Sequence, residues 1–124
     1  MEILTYILQG ILAIMFLFAG FGKVTGIKMH VEAFNHLRLP QWFRFVTGIV
    51  ELAGAALLIV GYWASTFATA GALIFAITGV GGILSHIRVK DSFKDTAMII
   101  FLTILSFVVF IHYVSKTDII MSVL

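Results

Sequence analysis

Four stretches of the chain, residues 3–22, 43–62, 65–85 and 96–113, each run for about twenty residues almost without charge. Roughly 20 apolar residues cross about 30 Å of hydrocarbon as an α-helix, so each stretch is long enough for one passage. Inside a bilayer the backbone has no water to bond, and only helices and closed barrels satisfy it internally. Barrel strands alternate in polarity and are about half as long. The expected fold is therefore an all-α membrane protein, an antiparallel bundle of four transmembrane helices. Composition agrees: of 124 residues, 61% are hydrophobic and 11% charged, too few charges to solvate a globule. Lipid is the expected solvent, and a single domain over 1–124 the expected organisation. The first stretch carries Glu2 instead of a basic leader and lacks a small-x-small cleavage pattern, so it reads as a retained helix.

The connections differ. Gly61-Tyr62-Trp63-Ala64-Ser65 is too short for anything but a tight turn, which makes the second and third spans a hairpin. Its Tyr62 and Trp63 suit the headgroup boundary. The segment 23–42 is longer, and Ile27, Val31, Phe34 and Leu37 recur there at helical spacing among polar residues. It predicts a short interfacial helix between the first and second spans, ended by Pro40. The third connection, 86–95, is short and polar. Lys23, Lys28, Arg38 and Arg44 lie in or beside the first connection, and Arg88, Lys90 and Lys94 in the third; Lys116 alone lies at the opposite end. The positive-inside rule then places these connections in the cytoplasm and both termini outside a plasma membrane. A basic balance in such a chain points to anionic lipid heads, not to nucleic acid.

The few polar residues within the spans carry the functional information. Glu51 sits mid-span between Val50 and Leu52, where an ionised carboxylate costs about 2.5–3.5 kcal/mol. It must face the bundle interior, pair with a base or stay protonated. It reads either as a ligand-binding or proton-handling group or as an interhelical clamp. Lys23, at the end of the first span, is its expected partner if that helix continues past Gly22; otherwise it snorkels to the headgroups. Gln9, Ala13, Phe16, Gly20 and Lys23 share one face by their spacing, and that face is expected to point inward. Gly48 beside Glu51, and Thr78, Gly82 and Ser85 on one face of the third span, either let helices approach closely or leave room for a flat ligand. His86, at the charged end of the third span, either donates to that site or is solvated. His112 lies near the other membrane face, too far away to share a haem with it. The absence of cysteine excludes disulfides, thiolate metal sites and covalent haem attachment. No His-x-x-x-His occurs, so no metal site is expected.

The string Phe18-Ala19-Gly20-Phe21-Gly22-Lys23 resembles the close of the first helix in the DoxX-like family. The stretch from Leu37-Arg38-Leu39-Pro40 to Glu51-Leu52-Ala53-Gly54-Ala55 and Gly61 is similar to it too, as is the polar end of the third span with His86. The resemblance covers nearly the whole chain and rests on the order and spacing of short motifs. It implies a four-helix bacterial membrane bundle, with Lys23 and Glu51 at positions typical of the family. Founding members are associated with a thiosulfate:quinone oxidoreductase, and other relatives with quinone stress, oxidative-stress complexes and receptor assembly.

Three functions follow as expectations. In the first, the chain is a quinone-associated or redox-stress-related membrane subunit that binds a flat apolar ligand near Glu51, Lys23 and His86. It would have no intrinsic cofactor beyond a bound quinone or lipid, and an oxidoreductase partner would be needed for catalysis. In the second, it is a non-enzymatic assembly or stress-protection protein, packed against a further copy or another membrane subunit, with Lys23 and Glu51 structural. In the third, it is an oligomeric small-solute transporter.

Overall fold

The computed structural model describes residues 2–116. It holds helices α1 (Glu2–Thr25), α2 (Lys28–His36), α3 (Gln41–Val60), α4 (Ser65–Arg88) and α5 (Phe93–Lys116), and no strand among the described residues. All but α2 are long and apolar enough to cross a membrane. Each of these four runs a few residues past at least one limit of its apolar stretch, because backbone hydrogen bonding continues after the hydropathy falls. The packed pairs are α1·α3, α3·α4, α4·α5 and α5·α1, which closes a four-membered ring.

Small residues set how closely the helices approach. A Cβ at Gly20 would lie 2.9 Å from the Gly48 carbonyl oxygen, and one at Gly48 equally close to the Gly20 oxygen. The α1 and α3 backbones therefore touch, as membrane helices do where nothing larger than glycine separates them. Leu12, Leu58 and Val109 are fully buried in the centre. Across the ring, Phe16 of α1 stacks on Phe75 of α4 with centroids 3.9 Å apart and an interplanar angle of 13°. The outer faces carry Ile3, Phe18, Ile77, Ile104 and Ile111, all more than half exposed. Only lipid makes such a surface comfortable.

Three helices end at the charged side with the same device. The amide two residues past the last helical turn bonds back to a carbonyl five residues earlier: Ile27 to Gly22, Leu39 to Phe34 and Asp91 to His86. The motif needs a left-handed residue, and Gly26 (φ 74°), Arg38 (φ 58°) and Lys90 (φ 62°) supply it. Contrary to the expectation from its position, Pro40 therefore does not end α2, although it does restart the chain. Helix α2 ends at His36 before reaching it, and Pro40 is the N-cap of α3.

The basic side chains also do more than meet lipid heads. Arg44 donates through Nη1 to the Lys23 carbonyl, and Arg88 through Nη2 to the carbonyls of Leu37 and Arg38. Each guanidinium satisfies the last free carbonyls of a neighbouring helix, where a cation is also favoured by the helix dipole. Gln41 donates through Nε2 to Asn35 Oδ1 at 2.9 Å, and the Phe34 ring meets Phe43 edge-on. In this way α2 is fastened across the charged end of the bundle.

Candidate functional site

Because α1 continues to Thr25, Lys23 stays helical and lies over α3. A Cβ at Gly48 would stand 2.9 Å from the Lys23 Cβ, so the lysine stem rests on bare α3 backbone one turn before Glu51. Its Nζ reaches Glu51 Oε1 at 2.9 Å, with the two side chains 14% and 5% exposed. The two form a buried ion pair between α1 and α3. The pair neutralises a charge that would otherwise stand alone in the bundle interior.

Both residues open onto a cavity of about 590 Å³ between α3 and α4, roofed by α2 and backed by Ile99 of α5. Its walls are mostly apolar, with Phe34, Phe43, Val46, Val50 and Ile77 prominent. Val46, Val50 and Ile77 are also among the exposed residues of their helices, so the cavity opens sideways towards lipid. Thr78, Gly82, Ser85 and His86 line the α4 side. The Ser85 hydroxyl donates to the Gly81 carbonyl at 2.9 Å and presents its oxygen as an acceptor. Donors available to a guest include the Lys23 ammonium, the Thr78 hydroxyl and imidazole N–H groups. A volume in the roughly 300–1,000 Å³ range, apolar walls and a few convergent polar groups are the usual features of a small-molecule site.

The sequence-derived residues divide between different places. Lys23, Glu51, Thr78, Gly82, Ser85 and His86 all line this one cavity. Gly20 and Gly48 bring α1 and α3 together beside it. Gln9 lies elsewhere. Its Nε2 donates to the Leu58 carbonyl at 2.6 Å and its Oε1 accepts from the Tyr113 hydroxyl. The α1 face that joins it to Lys23 is buried, with Gln9 0%, Ala13 3% and Phe16 2% exposed, but the Phe16–Phe75 stack lies between the two polar groups.

Sequence reasoning did not single out Asp91, and it placed His30 and His36 on the short surface helix without giving either a partner. Asp91 Oδ2 accepts from His86 Nδ1 and Oδ1 from His36 Nε2, each at 2.6 Å. These two imidazole donors hold its carboxyl below the ordinary carboxylate range. His30 lines the cavity from α2, and its pKa is lowered by burial first and then by the nearby Lys23 and Arg44 charges. The spacing of His86 and Asp91 is compatible with a helix-end contact. Nothing in the sequence links His36 to either. Among the described residues no group of three or more acidic or histidine side chains is placed to hold a metal ion.

The chain matches the DoxX-like family over residues 7–109. It is 35% identical over 82 residues to YdgD, an uncharacterized protein of Bacillus subtilis (strain 168), an overlap covering 65% of this chain and 72% of that protein. No solved structure matches it.

Proposed function

From the premise that the chain belongs to the DoxX-like family and is a multi-pass membrane protein, we propose that it binds a flat, largely apolar ligand with carbonyl or hydroxyl oxygens, a quinone, in the cavity beside Glu51. The observation that carries this reading is the joining of a lipid-facing apolar wedge to a buried ion pair at its base. A quinone ring is apolar on its faces, so it partitions from lipid into such a wedge. Its carbonyls accept from Lys23 or from an imidazole. Glu51, which lines the cavity, is suited to exchange a proton with a ligand hydroxyl. The chain's own share is binding and proton exchange, and the electrons of a redox step come from a partner subunit. The clustering of Lys28, Arg38, Lys90 and Lys94 at the cavity end supports a cytoplasmic location for it, with both termini outside the plasma membrane.

The test is titration of the purified protein in nanodiscs with short-tailed ubiquinone and menaquinone analogues. Saturable binding is expected, weakened at least about ten-fold in Glu51→Gln, a loss of roughly 1.4 kcal/mol. Absence of binding by the wild type overturns the reading. One observation favours a second reading, an assembly or stress-protection role: the stem of Lys23 packs directly on Gly48, as in a helix clamp. That reading expects no quinone binding, and loss of a co-purifying membrane partner in Glu51→Gln.

A further inference from the structure

A hydrogen-bonded line of three side chains runs from the membrane surface to the cavity wall, apart from the ion pair. His36 closes α2 with its side chain 60% exposed. The Asp91 side chain, 8% exposed, holds His36 with one carboxylate oxygen and His86 with the other. The His86 side chain is 22% exposed and forms part of the cavity wall. The left-handed turn at Lys90 folds the chain back so that Asp91 meets both rings. Each imidazole binds the carboxylate through one ring nitrogen and keeps the other, His36 on the water side and His86 in the ring that walls the cavity.

We propose that His36, Asp91 and His86 form a proton path between the aqueous phase and the ligand cavity. It rests on the quinone reading for its use, because a ligand that exchanges protons in a cavity opening towards lipid needs a route to water. In one passage a proton binds His36 Nδ1, and the Nε2 proton moves to Asp91 Oδ1. The now neutral carboxyl turns about its Cβ–Cγ bond and passes that same proton to Nδ1 of a His86 ring in its Nε2–H tautomer, and the Nε2 proton leaves into the cavity. One proton enters and one leaves, no electron moves, and rotation of the two rings resets the line. Asp91 is ionised at rest, so a proton crosses it without staying.

The neighbouring charges do not break the line. Arg88 of α4 is engaged by the carbonyls that end α2, and Lys90 adjoins Asp91 in sequence. At the start of α5, Asp95 is bound to Ser92, and Lys94 precedes it. On α2, Glu32 pairs with Lys28 at 3.7 Å. On the cavity side stand His30 and the Lys23–Glu51 pair.

The experiment uses the full chain, labelled with ¹⁵N-histidine, in ligand-free phosphatidylcholine nanodiscs, and reads magnetisation exchange between water and the His86 ring N–H. His36→Gln keeps an N–H donor for Asp91 Oδ1 but has no second basic nitrogen to relay a proton. Exchange at His86 is expected to fall at least about ten-fold in this variant. Exchange at the buried His112, which is outside the line, is expected not to change, and neither is the melting temperature. Asp91→Asn, which removes the central carrier, is expected to slow His86 in the same way. Unchanged or faster exchange at His86 in His36→Gln overturns the path and leaves a structural clamp. Since no ligand is present, a failed path leaves quinone binding untouched, and failed quinone binding leaves the exchange result intact.

Discussion

Substituting one member of the Lys23–Glu51 pair costs more than substituting both. At 2.9 Å and an effective dielectric constant of about 20, the attraction between the two charges is about 6 kcal/mol. Desolvation of both groups takes back much of this, since the side chains are only 14% and 5% exposed. A single substitution forfeits the attraction and leaves the survivor desolvated, a loss of about 3–5 kcal/mol in buried pairs. The residual exposure of Lys23 puts this pair near the lower limit, at about 3 kcal/mol. Lys23→Met and Glu51→Leu are each expected to cost that much. The double variant buries no charge and is expected to be close to neutral, a coupling of about 6 kcal/mol. The assay is equilibrium unfolding in mixed micelles, followed by the fluorescence of Trp42 and Trp63. Additive losses, with coupling within about 0.5 kcal/mol of zero, would refute the reasoning. The double variant also separates site from clamp: if it is stable yet loses quinone binding, the charges serve the ligand as well as the fold.

Three further outcomes follow from the same geometry. Gly48→Ala and Gly20→Ala each push a methyl against backbone oxygen and are expected to destabilise by about 1–3 kcal/mol, whereas Gly81→Ala, with open space around it, stays within about 0.5 kcal/mol in the same unfolding assay. The Asp91 carboxyl has a lower pKa folded than unfolded, so in the acid range the unfolded state binds more protons and stability rises with pH. The melting-temperature advantage of wild type over Asp91→Asn is accordingly full above the unfolded value near 4 and shrinks as pH falls through the folded one; an advantage that grows on acidification contradicts the assignment. Lys90→Gly relieves a left-handed backbone and is expected to gain about 1 kcal/mol, which a melting temperature no higher than wild type would disprove.

The spans and the short α2 were legible because hydropathy over twenty residues reports the solvent a helix meets. Glu51 was legible for the opposite reason: a charge mid-span is costly enough to demand an explanation. Its pairing with Lys23 was open only because the reach depended on how far α1 continues past Gly22, which backbone hydrogen bonding decides and composition does not. Gln9 misled in depth, since helical spacing gives the face a residue occupies but not the neighbour it meets at that level. Asp91 was illegible. Its role arises from the left-handed turn at Lys90, a residue with no preference for that conformation, and from a histidine 55 positions earlier. Arg44 and Arg88 looked like lipid-facing charges because sequence counts cations and does not show which carbonyls they cap.

The cavity itself has a cause in where the glycines fall. At the hairpin end α3 and α4 are held together: a Cβ at Gly71 would lie 2.9 Å from the Gly54 carbonyl oxygen. Gly48 lies about 20 Å down α3 from the hairpin turn, and Gly79 lies at about the same depth on α4, at 1.5 Å per residue. At that depth Gly48 draws α3 onto α1, while Gly79 lets α4 settle onto Thr103 of α5. The two helices of the hairpin are thus pulled towards opposite neighbours, and the wedge between them is what remains. Gly79→Ala tests this from the far side of the cavity. The added methyl meets the buried Thr103 side chain, whose hydroxyl is already bound to the Ile99 carbonyl at 2.6 Å, so α4 is expected to shift towards α3 and narrow the wedge. Quinone-analogue affinity should fall several-fold, about 1 kcal/mol, although residue 79 does not line the cavity. Affinity equal to wild type in a Gly79→Ala protein that folds would mean the wedge is held open by something other than these helix contacts.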